Sequence, residues 1–160
     1  MAELTTLEEK LAEVTGLAKA AQEATQKVEG LVDDEELQGQ LQRMRAEAEE
    51  TERRCTKLAE GRDGKKTAIL EKAQETKSEA TEMMSTYLGS DADDLDGFEF
   101  LTMAEAGEVG HWEILGKLNE KAGEPEVGEL VEWALPIQER HLKDVREGSL
   151  SLAAEEDPNA

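Results

Sequence analysis

Rings, thiols and basic charge are all scarce in this chain. Two tryptophans, two phenylalanines and one tyrosine are the only aromatic residues among 160. A β-sandwich core, which draws on aromatic and β-branched mass, does not fit that composition. A single cysteine, Cys55, has no partner for an internal disulfide, and its place on an apolar stripe reads as a small buried hydrophobe rather than a reactive thiol. Only 18 lysines and arginines stand against 39 acids, a formal charge of −21, so nucleic acid and anionic membrane surfaces would repel the chain. No apolar run approaches the roughly 20 residues that span a bilayer. The opening segment, Met1 to Glu9, is acidic where a signal peptide would be basic, and the cytoplasm is the expected compartment. A Gly-rich phosphate loop, a Cys-x-x-Cys pair and a nucleophile–His–acid set are also missing.

What is present is helical periodicity. Leu4, Leu7, Leu11, Val14, Ala18, Ala21 and Val28 recur at three- and four-residue steps, which predicts a helix to about Glu29, stopped by Gly30. Asp33-Asp34 offers an N-cap for a second stripe through Leu37, Leu41, Met44, Ala48, Thr51, Cys55 and Leu58, closed near Gly61 and Gly64. A third runs from Ile69 to Leu88, ahead of an acidic, turn-rich linker at Gly89–Asp94. The rings Phe98, Phe100, Trp112 and Trp133 come after this linker, so the fourth helix (about Leu95–Lys121) and the fifth (from near Glu126) should supply the bulk of the core. Pro125 suits a helix start, whereas Pro136 lies inside the fifth helix, where a kink is expected. Short links between long helices imply antiparallel neighbours. The prediction is an all-α, antiparallel helical bundle of about five helices in one domain over residues 1–154, with a frayed tail at 155–160.

Both histidines, His111 and His141, are expected on apolar helix faces. The Glu108-Val109-Gly110-His111 step aims a carboxylate and an imidazole at one neighbour, the Glu-x-x-His spacing of di-iron carboxylate bundles. A single such step is a weak signal in a chain this rich in Glu, and a neutral core histidine beside a marginal Glu108 is the plainer alternative. Glu105, on the flank shared by Leu101 and Trp112, raises the same question. Around His141, Gln138 stands where a second Glu-x-x-His would need its acid. Met83-Met84 reads as core packing, and Arg53-Arg54 and Lys65-Lys66 as partners of neighbouring Glu.

Three segments together resemble the YciE/YciF group of ferritin-like proteins: Glu49-Glu50-Thr51, Gly64-Lys65-Lys66-Thr67-Ala68-Ile69-Leu70-Glu71, and Val109-Gly110-His111-Trp112-Glu113-Ile114. The resemblance extends from about Leu7 to Asp144. It implies a ferritin-like bundle, a homodimer linked to stress responses, with metal held between helices. Carried over, Glu50 matches a ligand-type acid and His111 the histidine beside another. Ala18 replaces the first-helix acid and Gly110 the acid before the histidine, so the implied site is degenerate. The expected metal ligands are Glu50, Glu108, His111 and His141. The expected ion is iron, manganese or zinc, and if there is an activity it is ferroxidase-like. A metal-free, non-enzymatic scaffold is the alternative.

Overall fold

Three helix starts among the described residues are fixed by side chains that satisfy otherwise orphaned N–H groups. Thr5 and Glu8 form a capping box on α1 (Thr6–Glu29), the Thr5 hydroxyl accepting from the Glu8 N–H at 3.1 Å. Asp34 caps α2 (Glu35–Glu60), and Asp93 with Asp96 forms a second box on α4 (Asp94–Ala122). The first turn of α5 (Pro125–Ala154) begins at a proline, whose missing N–H is no loss there. Gly123, at φ 65°, ends α4 in the left-handed conformation. With α3 (Lys66–Tyr87) these are the helices of the computed structural model, which describes residues 2–160 and contains no strand among them. Pro136 lies within α5, which continues as α-helix on both sides of it. No helix is long and apolar enough to cross a membrane among the described residues.

Pairings between helices give their directions. Glu8 meets Arg62, Gln22 meets Glu52 and Glu29 meets Arg45, so α1 and α2 run in opposite senses. Arg43 with Asp144 and Glu47 with His141 oppose α2 to α5 in the same way. Glu108 with Gln138 and Thr102 with Ser149 oppose α4 to α5, and His111 with Glu13 opposes α4 to α1. The four helices close a ring, α1–α2–α5–α4, of antiparallel neighbours. Helix α3 lies outside the ring, parallel to α1, with Lys19 reaching Gln74 and Glu23 reaching Thr81. It returns the chain from the end of α2 to the start of α4. The crossing of α1 and α3 is tight at Gly16, where any Cβ would overlap the Ala73 carbonyl oxygen and come within 2.8 Å of Thr76 Cβ.

The buried apolar residues fall into two clusters. One gathers Leu11, Val14, Cys55, Ile69, Trp112 and Leu115, and the other Val28, Leu41, Met44, Phe98, Leu101 and Val145. Full burial of each Leu, Val or Phe contributes about 1.5–3 kcal/mol, so these clusters carry the fold. Helix α1 thus shares the core equally with α4 and α5, more than the position of the aromatic residues suggested. Met83 departs from its expected core position and is 52% exposed, while Met84 packs partly against the second cluster.

Candidate metal centre

Between the two apolar clusters the core turns polar. On α4 the layer falls between Leu101 and Trp112, and on α5 between Ala134 and Val145. Glu105, Glu108, Gln138 and His141 occupy it, with exposures of 1%, 5%, 2% and 2%. The Gln138 side-chain amide spans the two acids: Nε2 donates to Glu105 Oε2 at 2.9 Å and to Glu108 Oε2 at 2.8 Å. His141 Nε2 lies 3.0 Å from Glu47 Oε1, while Nδ1 faces Glu105 Oε2 across 3.9 Å. Arg140 pairs with the other Glu47 oxygen.

Charge follows from these surroundings. Burial pushes the Glu105 carboxyl up to about 8, only partly offset by the Gln138 hydrogen bond. Burial also raises Glu108 well above the carboxylate range, with repulsion from Glu105 adding to it. Burial lowers His141, against the pull of Glu47, so the ring is neutral. Glu47 is raised by burial, but Arg140 and His141 outweigh this and hold it below its usual value. An ionised Glu47 can only accept, so the imidazole proton sits on Nε2 and the Nδ1 lone pair faces Glu105.

Two of the four sequence-predicted ligands, Glu108 and His141, belong to this layer. Glu50 does not: on the outer flank of α2 it is held by Arg53 at 2.6 Å and Arg54 at 2.9 Å, which depress its carboxyl to about 2. His111 is also elsewhere, with a side chain 39% exposed; its Nδ1 donates to the Gly107 carbonyl at 2.8 Å and Nε2 stands 3.6 Å from Glu13. Glu108 and His111 therefore diverge, although one helical turn separates them. Sequence reasoning missed Glu47. The available signal was its place one turn beyond Met44 and beside Ala48 on the α2 stripe.

The donor set suits a borderline divalent ion, since two carboxylates and one imidazole serve iron, manganese and zinc alike. The Glu47–His141 bond has the form of the carboxylate–histidine pairing found beside metal-binding histidines. The atoms are not yet gathered into one coordination shell. Among the described residues the sole trio of acid or histidine donors mutually within 4.8 Å is Asp93, Asp94 and Glu156, at the surface. Uptake of an ion in the buried layer requires the Gln138 amide to turn away from the acids. No protein-family model and no curated protein matches this chain.

Proposed function

We propose that this protein is a ferritin-like bundle that holds one divalent transition metal at its midpoint through Glu105, Glu108 and His141, with Glu47 orienting the histidine. The observation that carries the reading is His141, whose Nε2 is committed to Glu47 while its Nδ1 faces the buried Glu105 carboxyl across 3.9 Å, with Glu108 joined to Glu105 through the Gln138 amide. Two antiparallel helix pairs joined by one long crossover, here α3, are also the connectivity of ferritin-like bundles. Iron bound by these carboxylates would supply one-electron chemistry, Fe(II) oxidation being the natural case. Glu105, Glu108 and His141 would hold the ion, the two acids losing their protons to solvent as it binds and Gln138 turning away from both, with the apolar clusters above and below the layer limiting water. Association into a homodimer belongs to the same reading, and sedimentation tests it.

Metal analysis of protein purified without chelator, followed by titration with Mn(II), Zn(II) and anaerobic Fe(II), tests the proposal. One ion per chain is expected, with Glu108→Gln and His141→Ala each abolishing saturable binding. His111→Ala and Glu50→Ala should bind as the wild type does. Equal binding by all five proteins, or none, would leave the bundle as a scaffold without a metal.

A further inference from the structure

Helices α3 and α4 diverge from one another above α1, and the gap is a cleft of about 300 Å³. Its walls are apolar: Leu17, Ala21 and Ala24 from α1, Ala80 and Met84 from α3, and Phe100 and Leu101 from α4. Met83 and Met103, 52% and 41% exposed, flank the mouth. The polar side chains that line it are acids, one histidine and the hydroxyls of Thr76 and Thr81. Glu79, Glu105 and Glu108 contribute carboxylates and His111 an imidazole, and neither lysine nor arginine lines any part of it.

Glu105 and Glu108 therefore face two ways. Each gives its Oε2 to Gln138, and no other donor among the described residues reaches either carboxylate within hydrogen-bonding distance. Both line the cleft, so an acceptor pair stands at the inner end of an apolar passage. A volume of this size is that of a small-molecule site, whose usual build is apolar walls with a few convergent polar groups. The chain's net charge of −21 adds a long-range attraction for cations.

We propose that this cleft binds a small organic cation, a primary amine on an apolar chain or ring, with the hydrocarbon between α1, α3 and α4 and the ammonium on Glu105 and Glu108. The amine donates up to three hydrogen bonds where the acids have acceptors to spare, and its apolar part replaces water against Ala21, Ala24, Ala80 and Leu101. Carboxylate-bearing ligands bring no ammonium donor to this end and meet the chain's net charge of −21. The proposal does not depend on a metal, because amine and ion would compete for the same two acids.

Calorimetric titration of the full chain with n-octylamine, n-octanol, n-octanoate and ethylamine, in chelator and physiological salt, tests it. Octylamine should saturate at one per chain, with the alcohol and the acid weaker by about tenfold or more, since a charge-assisted hydrogen bond is worth about that factor. Ethylamine, which has the charge without the chain, should show no saturable binding. Ala80→Phe, which fills the cleft from the half-exposed face of α3, and Glu108→Gln should each weaken octylamine by about tenfold. Equal affinity for the three octyl compounds, ethylamine binding as well as octylamine, or an undiminished Ala80→Phe variant would overturn the proposal. So would a chain that takes no amine and dissociates from dimer to monomer on Ala80→Phe, since a second copy would then own the cleft. Because chelator is present throughout, failure here leaves the metal titration unaffected, and the converse also holds.

Discussion

His141 of α5 and Glu47 of α2, 94 residues apart in sequence, meet at 3.0 Å between Nε2 and Oε1. This one bond decides which imidazole nitrogen faces the interior. Replacing Glu47 by Gln removes the fixed charge and frees the ring to carry its proton on either nitrogen. Glu47→Gln should weaken metal binding by about tenfold without abolishing it, the pattern of an orienting partner and not of a ligand. Replacing His141 itself should abolish binding.

The buried acids make stability fall as the solution turns alkaline. Their folded pKa values lie above the ordinary 4.5, that of Glu105 at about 8, so folding takes up protons between those limits. Whatever stability they allow is intact below pH 4.5 and is lost as pH rises through 8. Thermal unfolding should show a Tm that declines from pH 6 to pH 9, and Glu108→Gln should flatten that decline and raise Tm at pH 9. Metal should reverse the trend, protecting the wild type more at pH 8 than at pH 6, because binding expels the protons.

Gln138→Glu would replace the amide donor by a third acid in the same buried layer. Without metal the variant should melt several degrees below the wild type at neutral pH, since the two acids lose their shared donor and a third carboxyl is buried without a partner. With Mn(II) or Zn(II) it should bind more tightly than the wild type and recover the lost stability. A melting comparison with and without ion reads both effects.

At the other end of α1, Glu8 is 3% exposed and receives Arg62 at 2.8 Å and Lys65 at 3.1 Å. Burial alone would raise its carboxyl, but the Thr5 N–H, Arg62 and Lys65 outweigh it and bring it to about 2. A lowered pKa gives stability that is complete above 4.5 and disappears as pH falls towards 2. Glu8→Ala removes one of the two carboxylates on Arg62, leaving Glu124, takes the carboxylate from Lys65 and removes half of the capping box. It should destabilise by about 3 kcal/mol at pH 7 in denaturant titration, with a much smaller difference near pH 2.

Gly16→Ala should lower stability by about 2 kcal/mol, because the obstacle is the Ala73 main-chain oxygen, which cannot rotate aside. Gly39→Ala, at a helical position with open space around it, should instead stabilise by about 0.5–1 kcal/mol.

The helices were legible because periodicity, caps and glycine stops all act within a few residues, and α1 and α2 end where Gly30 and Gly61 predict. The site was half legible. In α4 the inward row is Phe98, Leu101, Glu105, Glu108, Trp112 and Leu115, all buried. His111 precedes Trp112 by one residue, a rotation of about 100°, which carries it out of that row to the cleft mouth. A helix packed on both α1 and α5 has apolar residues over a wide arc, so the sequence alone cannot say which member of the arc faces the centre. Glu50 failed for another reason. It shares a flank with Glu47, but Arg53 and Arg54 draw it outward while Arg140 and His141 of α5 draw Glu47 inward, and that choice rests on a partner distant in sequence.

Cys55, fully buried in the apolar cluster that borders the polar layer, with a thiol that burial pushes up to about 12, brings a practical consequence. It sits where α1 and α2 must part before any thiol reagent can reach sulfur, and no second cysteine competes for the label. The rate at which it is alkylated is therefore a built-in clock for opening of that helix pair. Occupation of the neighbouring layer by an ion should slow the clock without any engineered probe.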